Sequence, residues 1–110
     1  MSDTSFDKNK VFNLDQTAKL FKVLGDKNRL KIVYSLREKQ MCVCELTQCL
    51  NISQSLVSHQ LKILREQKIV KCERNKNHIF YKLDDKHIEE IVDMAKVHIL
   101  EQENESEKRN

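Results

Sequence analysis

The stretch NISQSLVSHQLKILRE, Asn51 to Glu66, carries two patterns at once. Its opening NIS reads as a tight turn: Asn51 tolerates a left-handed backbone, and Ser53 is a good N-cap. From Gln54 to Glu66 the spacing predicts a helix, with Val57, Leu61 and Leu64 forming one apolar stripe. The opposite side presents Gln54, Ser55, Ser58, His59 and Lys62. Such a helix has one side that anchors and another that donates and accepts hydrogen bonds. Upstream, a short helix fits Val43–Leu50, so two short helices meet at a tight turn, a helix–turn–helix pattern.

The flanks extend the pattern. Downstream, IVKCER (Ile69–Arg74) and HIFYKL (His78–Leu83) alternate and are rich in β-formers, and Asn75–Asn77 (NKN) fits a hairpin tip. Upstream, Leu14, Ala18, Phe21 and Leu24 mark a first helix stopped at Gly25. Asp26 can cap a second helix, whose Leu30, Ile32, Val33 and Leu36 carry it to about Glu38. A last helix is expected from about Asp85 to Gln102. The fold class is therefore mostly α with a small β-hairpin wing, a winged helix–turn–helix. Residues 1–10 are expected to be a flexible arm, 11–102 the winged domain and 103–110 a flexible charged tail.

The 110 residues suffice for one small domain. Residues 1–83 hold 16 Lys and Arg against 8 Asp and Glu, whereas residues 84–110 hold 4 against 9. The basic excess in the first part suits a polyanion partner, and double-stranded DNA is the expected one. Gln can read adenine edges, Ser adapts to base or phosphate, and a wing tip with Arg74, Lys76 and Asn77 can hold phosphate. With no signal peptide and no long apolar run, a soluble, cytoplasmic chain without membrane contact is expected. Four cysteines there suggest reduced thiols or metal ligation before disulfides. A core this small gains from being shared with a second copy. An enzyme is not expected: there is no activated nucleophile pair, no phosphate-cradling glycine loop and no HExxH. Ser58 and His59 are adjacent on a helix and so diverge by ~100°. A protein–protein adaptor, the other reading outside regulation, would need no polar recognition face.

The segments ISQSLVSHQLKILREQKIVKCERNKNHIFYKL, LFKVLGDKNRLKIVYSL, MCVCELTQCL and DDKHIEEIVDMAKVHILE resemble the ArsR/SmtB-type metal-responsive repressors. SQSLVSHQLKIL is the strongest part, and the similarity spans about residues 14–102. The resemblance implies a homodimeric winged-helix repressor that leaves its operator when metal binds.

The last helix shows where metal would bind. At ~100° per residue, His87, Ile91, Met94, His98 and Glu101 lie within ~40° of one line. The two histidines are roughly 16 Å apart, too far to share one zinc ion. An antiparallel second copy of the helix resolves this. Asp85 and His87 of one chain would meet His98 and Glu101 of the other, giving an N2O2 set at each end of the pair. The spacing also matches the family pattern D-x-H-x10-H-x2-E. In a continuous helix Asp85 would sit ~160° from His87, so the helix has to begin at or just after it. The neighbouring stripe of Ile88, Val92, Ala95 and Ile99 is expected to be core.

Zn(II) is the expected effector for a His/carboxylate site. Coupling to DNA is expected to pass through the second ring nitrogen of His98. A secondary candidate is Cys42 with Cys44, for Cd, Pb, arsenite or thiol redox chemistry. Related cadmium and lead sensors add cysteines from the N-terminal arm, and this arm has none; related arsenic sensors often have a third Cys where Thr47 stands here. Cys49 is expected to be a small core residue, and Cys72 structural or incidental.

Overall fold

A computed structural model describes residues 13–109, with side chains described through Ser106; the expected arm at 1–10 lies outside these residues. The elements are α1 (Leu14–Leu24), α2 (Lys27–Glu38), α3 (Val43–Leu50), α4 (Gln54–Glu66), β1 (Val70–Asn75), β2 (His78–Leu83) and α5 (Lys86–Arg109). The order is that of a winged helix.

Caps set most helix starts. Asn13 Oδ1 accepts the Gln16 N–H at 3.2 Å, Asp26 Oδ2 the Arg29 N–H at 3.0 Å and Ser53 Oγ the Leu56 N–H at 3.2 Å. Each satisfies a donor that the first helical turn leaves unpaired. Asn51 ends α3 in the left-handed conformation, φ 54°, as its side chain favours. Gly25 ends α1 where expected, but with φ −76°, so its glycine freedom is not used there.

The C-terminus of α4 is closed by a feature with no glycine to announce it. Lys68 is left-handed, φ 56°. Its N–H donates to the Arg65 carbonyl and the Ile69 N–H to the Leu64 carbonyl, both at 2.9 Å. This is a Schellman cap, and its usual apolar contact is supplied by Leu64 and Ile69, both fully buried.

The strands pair antiparallel from Val70↔Leu83 to Asn75↔His78, leaving Lys76 and Asn77 as the turn. Met41 joins the edge of β2 by exchanging two backbone bonds with Tyr81, a short bridge that periodicity does not reveal. The core is one cluster: Val23 and Leu24 of α1, Ile32, Val33 and Leu36 of α2, Leu46 of α3, Val57, Leu61 and Leu64 of α4, Met41, Ile69 and Val70, and Ile88 and Val92 of α5.

Two expectations are corrected. The last helix does not stop at Gln102 but continues to Arg109, because no glycine or proline interrupts EQENESEKR. Of the stripe expected as core on that helix, Ile88 and Val92 are buried, whereas Ala95 and Ile99 are exposed. The body of the domain ends before the helix does.

Candidate DNA interface and metal half-sites

The turn Asn51–Ser53 sets α4 across the domain with Val57, Leu61 and Leu64 buried. The side chains of Gln54, Ser55, Ser58, His59 and Lys62 are then all exposed along the other face. Arg74, Lys76 and Asn77 are exposed at the wing tip. The Glu73 carboxylate pairs with Lys82 Nζ at 2.6 Å, a hydrogen bond that holds its pKa below the ordinary range. That pairing neutralises an acid next to Arg74, on a surface suited to phosphate.

One α4 residue stands outside the sequence expectations. Gln60 is 8% exposed, the one buried polar side chain among the described residues. Its Oε1 accepts from Arg29 Nη1 at 3.0 Å, while Arg29 Nε donates to the Val23 carbonyl at 2.7 Å. Arg29 thus ties the end of α1 to α4 from the first turn of α2. A signal for it exists: Gln60 falls ~60° from Val57, at the edge of the apolar stripe.

At the other end of the domain, Asp85 immediately precedes α5. Its Oδ1 accepts the N–H groups of His87 at 2.9 Å and Ile88 at 3.2 Å, and its Oδ2 lies 3.5 Å from His87 Nδ1. The helix begins where the metal reading needs it to, so Asp85 and His87 share one side. The Ile88 N–H is the largest of the influences that hold the Asp85 carboxyl below its usual pKa. His98 and Glu101 are exposed further along α5, and Gln102 Nε2 lies 3.1 Å from His98 Nε2. Each pair offers one imidazole and one carboxylate in accessible positions, the donor types zinc takes. Among the described residues, no group of three or more His, Cys, Asp or Glu in one chain is placed to hold an ion.

Beyond Asp93 the apolar side chains of α5 face outward: Met94, Val97, Ile99 and Leu100 are exposed, Met94 by 67% and Ile99 by 55%. Phe21 and Leu14 on α1 are exposed as well.

Cys42 is the N-cap residue of α3, half-buried, and Cys44 is exposed two residues on. Glu45 Oε1 accepts the Cys42 N–H at 3.1 Å, and hydrogen bonds from Cys42 lower the Glu45 pKa. Cys49 is exposed, which corrects its expected place in the core. It lies on the outer side of α3, while Leu46 alone of that helix is fully covered. Cys72 is half-buried in β1, opposite Tyr81.

One apolar core shared by the helices, an exposed polar face on the helix after the turn and a basic two-stranded wing define a winged helix–turn–helix DNA-binding domain. The family model described as bacterial regulatory protein, arsR family, matches residues 26–71. The chain is 37% identical over 94 residues to a transcriptional repressor SmtB homolog of Synechocystis sp., covering 83% of this chain and 71% of that one. It is also 37% identical to a cadmium resistance transcriptional regulatory protein CadC homolog of Staphylococcus aureus, covering 74% and 68%. Among solved structures it resembles the homodimeric winged helix–turn–helix domain of a possible ArsR-family regulator from Mycobacterium bovis. There the TM-score is 0.77 at 21% identity, over 81% of this chain and 82% of that one, a likeness of fold. The chain belongs to the ArsR/SmtB family of winged-helix transcriptional repressors and is a regulator, not an enzyme.

Proposed function

We propose that the protein is a homodimeric, metal-responsive repressor of the cytoplasm. It binds double-stranded operator DNA through α4 and the wing and releases it when Zn(II) occupies two interchain sites. Gln54, Ser55, Ser58 and His59 face base edges, while Lys62, Arg74, Lys76 and Asn77 hold phosphates. Asp85 and His87 of one protomer meet His98 and Glu101 of the other. Zinc, when bound, supplies a bridge that favours one arrangement of the two chains. If that arrangement spaces the two recognition helices badly for DNA, operator affinity falls by the same factor as DNA lowers zinc affinity.

The observation that carries this reading is the start of α5. Asp85 caps the helix with one oxygen and leaves the other beside His87. No helix in the described residues is long and apolar enough to cross a membrane, in keeping with a DNA-binding role. The cadmium resistance named for one relative supports an ionic effector, and the imidazole–carboxylate donor set favours zinc over softer ions.

The test is titration of the reduced protein with Co(II), followed by absorption. Visible d–d bands without sulfur charge transfer, saturating at one ion per chain, are expected. Intense near-ultraviolet sulfur-to-metal bands would instead assign the effector to Cys42 and Cys44, making the protein a sensor of Cd, Pb or arsenite.

A further inference from the structure

The described contact of the His98 ring stays on its own helix, at Gln102. Among the described residues, every side-chain bond that leaves α5 ends on α2. The Tyr34 hydroxyl donates to the Val92 carbonyl at 2.8 Å. Arg37 donates from Nε to both Asp93 oxygens at 3.0 Å and from Nη2 to Oδ2 at 2.9 Å, and its Nη1 lies 3.2 Å from Glu89 Oε1. A guanidinium holds its donors in one rigid plane. Gripping two carboxylates one helical turn apart therefore fixes both the height and the rotation of α5 on α2.

The grip spans Glu89 to Asp93, between the half-site at Asp85 and His87 and the half-site at His98 and Glu101. At the opposite end of α2, ~12 Å away at helical rise, Arg29 holds Gln60 of the recognition helix. Ile32, Val33 and Leu36 belong to the same core cluster as Val57, Leu61 and Leu64 of α4.

We propose that α2 is the transmission element of the metal response. Tyr34 and Arg37 are positioning residues at its α5 end, and Arg29 is the positioning residue at its α4 end. The inference rests on the metal-site reading above. When the two α5 helices are drawn into register, the grip at Glu89–Asp93 moves with them. The Arg37 fork carries that displacement to α2, and the Arg29–Gln60 bond passes it to the helix that faces DNA. Such a path is credible only where both ends bias one element, which is what the test reads.

Hydrogen exchange of α4 amides is measured on the full chain with and without Zn(II), alongside Co(II) absorption. The variants are Arg37→Met, which removes the fork, and the milder pair Tyr34→Phe with Arg37→Lys, which keeps ring and charge. In the unaltered protein zinc is expected to change α4 protection by about fivefold or more, the lower end of usual couplings. In the variants that change falls to less than about half, while the Co(II) bands and stoichiometry stay as they were. An Arg37 that served stability alone would lower the melting temperature and leave the zinc-induced change intact, and that result overturns the relay while sparing the metal site. No zinc-induced change in α4 of the unaltered protein also overturns it. Absence of Co(II) bands in the unaltered protein removes the metal site and the relay together. If Arg37→Met does not fold, the milder pair decides the matter.

Discussion

At the scale of single residues, Asp85 caps α5 with one carboxylate oxygen and turns the other toward His87. Asn caps as well as Asp, so Asp85→Asn is expected to keep stability within about 0.5 kcal/mol. It removes the carboxylate, so zinc affinity is expected to drop at least about tenfold, the loss seen even for groups outside the metal's direct ligands. Asp85→Ala should lose both the cap, about 1 kcal/mol, and the ligand. Urea unfolding beside metal titration separates the two roles, and unchanged zinc affinity in Asp85→Asn would remove Asp85 from the site. Lys68 carries the opposite kind of prediction. A left-handed L-residue costs ~1–2 kcal/mol and glycine's extra chain entropy ~0.5–1 kcal/mol, so Lys68→Gly should stabilise by roughly 0.5–1 kcal/mol. A loss in urea unfolding would mean that the Schellman cap at Lys68 is not strained. These residues also mark what the sequence could disclose. The left-handed turn at Asn51 was legible because the residue type favours it, whereas the one at Lys68 is imposed by burial of Leu64 and Ile69 and has no local signature. Gly25 has the residue type of a left-handed cap and is not one.

Among the elements, α5 is joined to α2 by polar groups as well as by the core. The Arg37 hydrogen bond is the largest influence holding the Asp93 carboxyl below its usual pKa, as the Ile88 N–H does for Asp85. A folded-state pKa lowered in this way contributes stability that is complete above the unfolded value of ~3.9 and is lost as pH falls through the folded value. The melting-temperature advantage of the unaltered protein over Asp93→Asn is therefore expected to be full at neutral pH and to vanish in that acid window. A gap that stays constant down to strongly acid pH would detach it from this ion pair. The wing carries its own prediction: Lys76→Ala should reduce the slope of log affinity against log salt by ~0.9 for each phosphate it no longer neutralises, and weaken binding to all duplexes alike. An unchanged slope would take Lys76 off the DNA. Helix bounds from α2 through α4 were legible because caps and turn residues flank each one. The Met41 bridge was not, since a single paired residue has no period. Nor was the grip of Arg37 on Asp93, because 56 positions separate the partners and no local pattern connects them.

The whole molecule leaves a question that one chain does not answer. Ala95 and Ile99 continue the stripe begun by buried Ile88 and Val92, yet they are exposed, together with Met94, Val97 and Leu100. Apolar side chains concentrated on one long helix mark an interaction surface more often than an accident of composition. The same helix carries two incomplete donor pairs, and the antiparallel partner that would cover the apolar side would also complete both pairs. Metal binding then depends on dimerisation, which Ile99→Glu tests directly. In a monomer Ile99 is 55% exposed, so a carboxylate there costs the fold little. In the dimer the charge would be buried without a partner, a cost large enough to separate the chains. Ile99→Glu is expected to keep its far-ultraviolet dichroism, sediment as a monomer and lose tetrahedral Co(II) bands, though Asp85, His87, His98 and Glu101 are all still present. A monomer that kept those bands at one ion per chain would show that the ligands meet within a single chain, and the interchain site would have to be abandoned.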